Sequence, residues 1–223
     1  MDLNIILGYI GALFVGITLG LIGSGGSILS LPIFVYLFGI NPIIATAYSL
    51  FTVGLTSLIG SIKNIKLKLI HINTVIYFSF SAAVSVYLTR RYVIELIPDE
   101  IISIGELIIT KEKFLMLFFA LLIYFAGIAM IRKRKDNDAK EKKAYKYSKV
   151  LILAEGTVVG FITGLVGAGG GFIIIPVLVL FSKLDMKKAI ATSLVIISIK
   201  SLFGFIGDIE NHIIDWLFLI KFS

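Results

Sequence analysis

Gly20-Leu21-Ile22-Gly23-Ser24-Gly25-Gly26-Ser27 recurs as Gly164-Leu165-Val166-Gly167-Ala168-Gly169-Gly170-Gly171, and the apolar run after each copy reaches a proline, Pro32 or Pro176. Moving the chain along itself by 144 positions lays Gly20–Asn64 on Gly164–Asp208 without a gap, with about a third of the positions identical, the mark of an internal duplication. Each copy interrupts a long apolar segment with a cluster of small residues. Such a cluster weakens a helix and lets another backbone or a ligand approach closely. The pattern predicts two equivalent broken helices, one in each half.

Composition decides the solvent. With 58% hydrophobic residues, 16% charged residues and a mean hydropathy of +1.01, most of the 223 residues are unfit for a water-facing surface. The chain reads as an all-α, polytopic membrane protein. Cysteine is absent, which removes disulfides and thiolate chemistry. The first apolar run, Ile5–Ile22, has no basic residue before it and no clear cleavage pattern, so it reads as a retained membrane segment and not a signal peptide.

No Asp, Glu, Lys or Arg occurs from Leu3 to Ile62. Ile5 to Leu19 predicts a first helix and Ser27 to Phe38 a shorter one. Twelve helical residues reach only about 18 Å, against a hydrocarbon core of about 30 Å. Backbone left unpaired at that depth must be buried in protein or line a wet cavity. Asn41-Pro42 opens a helix to about Ile62, and Ile72–Thr89 and Phe114–Ile131 are further runs of spanning length. Between these two, Arg90–Lys113 reads as a loop, with an interfacial helix suggested by Ile101, Ile102, Ile104, Leu107 and Ile108. The second half repeats the plan with Val150–Val166, Gly171–Ser182 and Ala189–Gly207. Its last segment, Ile213–Ser223, is too short to span, so the second repeat reads as C-terminally incomplete beside the first. The expected divisions are a first transmembrane repeat (1–131), a basic cytoplasmic linker (132–149) and a second repeat (150–223).

That linker holds nine Lys or Arg against three acids, which places it in the cytoplasm by the positive-inside rule. Counting outward puts the Lys63, Lys66, Lys68 loop and the Lys183, Lys187, Lys188 loop inside, with Arg90–Lys113 and Asp208–Asn211 outside. Equivalent loops then face opposite sides, the pattern of two inverted repeats.

The doubled Gly-x-x-Gly-x-Gly-Gly motif with its proline, joined to Ala45-x-Ala47-x-Ser49-Leu50 and Ala189-x-Ala191-x-Ser193-Leu194, resembles the sulfite exporter TauE/SafE family of membrane transporters. The late Ile214-Asp215-Trp216 is similar to that family too. The resemblance implies a secondary transporter, an exporter of small anions such as sulfite or organosulfonates across the cytoplasmic membrane, without ATP and without a cofactor. A channel, a non-transporting membrane scaffold and an inactive fragment are the alternatives.

The residues themselves point to an anion site. A helix interrupted in mid-membrane presents unpaired N–H groups and the positive end of its dipole, which attract anions. Ser24, Gly25, Gly26 and Ser27 would form one such end, and Ala168, Gly169, Gly170 and Gly171 the other. Thr46, Tyr48 and Ser49, with Thr192 and Ser193, stand near the starts of the following helices as hydroxyl donors. The competing reading is that the glycines only permit tight helix packing. Lys200 lies inside an apolar segment, where a charge is costly, and its first-repeat counterpart is Thr56. It would attract an anion, pair with Glu155 or extend its stem toward an interface.

The other classes fit less well. His71 and His212 fall at segment ends without metal-ligand spacing, and no nucleophile with a base lies at depth, so an enzyme is not expected. The glycine motif lacks the Lys-Ser/Thr ending of a phosphate-binding loop. Beyond the anion, the basic linker would meet anionic membrane lipids; nucleic acid has no support beyond the basic pI, and a homo-oligomer stays open.

Overall fold

A computed structural model of the chain describes residues 3–22, 25–104, 107–131 and 149–223. The fold is almost wholly helical. Helix α1 (Leu3–Ile22) and the short α2 (Gly25–Pro32) form the first broken pair, with α3 (Pro42–Lys66) and α4 (Ile72–Leu88) following. After the linker, α7 (Lys149–Val166) and the short α8 (Gly171–Leu180) form the second broken pair, then α9 (Met186–Ile209) and α10 (Trp216–Phe222). Between the two series stand α5 (Ile94–Leu96), a hairpin of β1 (Glu100–Ile104) and β2 (Leu107–Thr110), and α6 (Lys111–Ile131).

Local chemistry sets these boundaries. Asn41 opens α3 by accepting the Ile43 N–H at 2.9 Å, and Pro42 fills the first helical position, where a missing N–H costs nothing. Lys63 and Lys66 close the helix at its negative end. Pro32 ends α2, which widens into a π-helical turn over Ile33–Leu37, because proline offers no N–H to continue the α-helical ladder. Four stretches, Pro42–Lys66, Ile72–Leu96, Lys149–Val166 and Met186–Ile209, are each long and apolar enough to cross a bilayer. Large apolar side chains such as Ile59, Phe80 and Leu217 stay exposed on the outside, as lipid-facing positions do.

Two expectations for Arg90–Lys113 are corrected. The chain stays helical past Arg90, through a π-helical turn at Thr89–Val93 and on to Leu96. The isoleucine-rich stretch beyond it is an antiparallel hairpin with Ile102 opposite Ile109 and Ile104 opposite Leu107, and no interfacial helix forms there. Consecutive β-branched residues around Gly105 favour a hairpin over a helix, whatever their spacing suggests.

Helices α3 and α9 are counterparts in the duplication and lie against each other, with Gly54 leaving room for Leu202. Helix α4 crosses both α7 and α9. Its contact with α7 depends on Gly156, Gly160 and Gly164, where an added Cβ would collide with Phe78, Ala82 and Thr89 respectively. This is the close approach that small residues four apart allow between membrane helices. One buried apolar cluster gathers Val53, Phe78, Ile174, Leu194 and Ile197, and a second gathers Leu31, Phe34, Tyr48, Phe172 and Phe222.

Candidate functional site

The second glycine cluster folds as a tight turn between α7 and α8. Gly167, Gly169 and Gly170 have φ of 69°, 61° and 67°, in the left-handed region that L side chains rarely adopt. Two of them are also sterically closed. A Cβ at Gly167 would run into Thr46 of α3, and one at Gly170 would run into Thr163. Gly167 continues α7 by donating to the Thr163 carbonyl at 2.9 Å, and Gly170 begins α8 by accepting from Ile173 and Ile174 at 3.0 Å.

Two buried cationic side chains end on consecutive residues beside this turn. Lys200 is fully buried, and its Nζ donates to Thr163 Oγ1 at 2.8 Å. Its nitrogen would lie 3.3 Å from a Cβ added at Gly170. No carboxylate among the described residues pairs with it: Glu155 instead accepts from Ser182 Oγ at 3.3 Å. The lysine therefore stays inside the protein and does not reach an interface.

Arg90 is the second cation. Its Nε donates to both oxygens of Asp208 at 2.8 Å, and Nη2 lies 2.7 Å from Asp208 Oδ1. Nη1 and Nη2 both donate to Thr46 Oγ1 at 2.9 Å, and Nη1 also reaches the Gly164 carbonyl at 3.3 Å. Arg90 and Asp208 are both about 1% exposed, so the pair is sealed from solvent. Next to it, Arg91 pairs with Glu210 at 2.8 Å and donates to Asn211, which fastens the Thr89–Val93 turn to the end of α9.

The expected site residues divide accordingly. Thr46, Gly169, Gly170, Gly171 and Lys200 converge around the second turn. Ser49 bonds Ser30 Oγ at 2.6 Å and fixes α2 to α3, while Ser193 donates back to the Ile190 carbonyl at 2.8 Å. Thr192 accepts the His71 N–H at 3.1 Å, and Tyr48 accepts the Asp215 N–H at 2.8 Å. Gly25, Gly26 and Ser27 open α2, and Ser24 lies outside the described residues, as does the linker to residue 148.

Arg90, Asp208 and Thr163 were not anticipated. Arg90 read as the first residue of a loop because nothing in its neighbours announces that the helix continues. A signal existed for Asp208, whose counterpart Asn64 is also polar. Thr163 stands directly before the glycine motif, where its counterpart is Leu19.

A family model described as sulfite exporter TauE/SafE matches residues 8–222. The chain belongs to the sulfite exporter TauE/SafE family. A probable membrane transporter protein of Methanocaldococcus jannaschii is 30% identical over 227 residues, spanning 100% of this chain and 77% of that protein. One of Bacillus subtilis is 31% identical over 219 residues, spanning 93% and 79%, and one of Xylella fastidiosa is 28% identical over 215 residues, spanning 93% and 75%. No solved structure matches. TauE/SafE membership makes this a multi-pass membrane protein of a transporter family, which is not an enzyme class.

Proposed function

We propose that this chain is a secondary transporter that exports a small oxyanion, sulfite or an organosulfonate, through a site between Lys200 and the Gly167–Gly170 turn. The observation that carries the reading is the environment of Lys200. Its nitrogen is fully buried, hydrogen-bonded to a neutral hydroxyl, and has donors left over for which the described residues offer no carboxylate. A lysine in that position is costly in a membrane interior unless an anion meets it during the working cycle. Arg90 is less suited to that role because Asp208 already neutralises it. It would hold α4, α9 and the glycine turn in place around the site.

Uptake of sulfite and small sulfonates into liposomes bearing the purified protein tests the function. Saturable flux with counterflow is the expected result; ion conductance without counterflow would mark a channel.

A further inference from the structure

Glu155 is an ionisable group that the anion site leaves unused. It stands in the second turn of α7, about 9 Å along a helix of membrane-spanning character. Its Oε2 has Ser182 Oγ at 3.3 Å, a long contact with a hydroxyl that is itself buried, and its Oε1 is buried with no hydrogen-bond partner. No salt bridge among the described residues reaches it. On the elements around it, Lys149 of α7 lies over the Tyr77 ring of α4 at 5.3 Å, and Lys183 and Asp185, beyond Ser182, are exposed. Helix α8 carries no charged residue, and those of α6 lie in its first turn.

The duplication marks this pair as an addition to the shared scaffold. The counterparts of Glu155 and Ser182, 144 positions earlier, are Gly11 and Phe38. That place is apolar: Gly11 lies beneath Ile33, and Phe38 packs against the rings of Tyr9 and Phe218. The broken pair therefore packs without a carboxyl or a hydroxyl there. In the second half both members have become polar together, as Thr163 and Lys200 stand where the first half has Leu19 and Thr56.

These surroundings suit a neutral carboxyl better than a carboxylate. An ionised group has acceptor sites on both oxygens, and leaving one oxygen buried without a donor or a cation costs more than the same burial of a neutral acid. With a proton on Oε2, that oxygen donates to Ser182 Oγ and Oε1 is left as a plain carbonyl. We propose that Glu155 is a proton-binding site, its proton held on Oε2 against Ser182, and that this is the proton the transport cycle loads and releases. The coupling rests on the transporter reading of the chain; the binding of the proton does not.

Infrared spectroscopy of the purified protein in lipid at pH 7 reads the proton directly, because a protonated carboxyl has a C=O stretch well above the carboxylate bands. The expected result is such a band that disappears in Glu155→Gln. Ser182→Ala, a second reporter should Glu155→Gln misfold, is expected to move the band to higher frequency by removing its hydrogen bond. Coupling is read from the uptake of methanesulfonate into liposomes, since a sulfonate takes up no proton itself near neutral pH. An imposed pH gradient is expected to change the initial rate several-fold for the native chain, with the response kept in Glu155→Asp and lost in Glu155→Gln. No band that depends on Glu155 or Ser182, no response of the native rate to the gradient, or a response that survives Glu155→Gln would overturn the proposal. Absence of sulfonate flux from every protein would count against the transporter reading, and the infrared band would still decide the proton site.

Discussion

His71 and Asp215, 144 positions apart, make the same two contacts from opposite halves of the chain. Each caps the helix that follows it, accepting from the N–H three residues on, Thr74 for His71 and Phe218 for Asp215. Each gives its own N–H to a hydroxyl of the other half, His71 to Thr192 and Asp215 to Tyr48, and those two acceptors are themselves 144 apart. The exchange is reciprocal, as a two-fold relation between the halves requires. With the charge bias of the loops, it predicts opposed membrane orientations. In intact cells, a cysteine at Lys66 is expected to be shielded from an impermeant external thiol reagent and one at Asn211 to be labelled. Equal labelling of the two would refute the inversion.

The His71 cap also gives a pH dependence. Burial, reinforced by the nearby Lys188, lowers the pKa of the ring below the usual histidine value, so the folded protein favours the neutral form. The unfolded chain then takes up the proton first. Stability from this residue is complete above about 6.5, the ordinary histidine value, and declines as pH falls toward the lower folded value. The measurement is thermal unfolding from pH 8 to pH 5, and His71→Asn, which can still cap α4, is expected to flatten the acid limb.

Arg90 and Asp208 form a buried ion pair, and removing one member strands the other. Asp208→Ala is expected to cost about 3–5 kcal/mol, because the guanidinium would be left with only Thr46 and Gly164. Arg90→Met combined with Asp208→Leu removes both charges and should recover much of that loss. Thermal unfolding of the detergent-solubilised variants reads the comparison; a double variant no better than the single would mean that the pair contributes more than charge balance.

Gly39 and Gly167 have nearly the same φ, 65° and 69°, in different surroundings. Nothing lies near a Cβ at Gly39, so Gly39→Ala should cost only the backbone strain, about 1 kcal/mol. Gly167→Ala carries that strain and a collision with Thr46, and should lower the unfolding temperature several times as far. Similar shifts for the two would show that the α7–α8 turn yields easily.

The duplicated glycine motif, the apolar runs and Asn41-Pro42 were enough to place both broken pairs and the start of α3, since each is a local signal. The 101–108 stretch misleads because its five apolar residues in eight satisfy a helical spacing and a hairpin alike; the β-branched run decides between them. Thr46 and Lys200 stood out as polar groups in apolar segments, and both adjoin the turn. Ser49, Thr192 and Ser193 stood out for the same reason but spend their hydroxyls on helix contacts. Ser193 turns back on Ile190 within its own helix, while Ser49 and Thr192 meet elements far away in sequence, and no local pattern encodes a partner 19 or 121 residues distant.

Binding of sulfite to the purified protein by titration calorimetry, wild type beside Lys200→Met, tests the anion site most directly. The account predicts saturable binding to the wild type and a loss of about tenfold or more in the variant, the scale of one hydrogen bond to a charged group. Equal affinity in a folded Lys200→Met protein would contradict it.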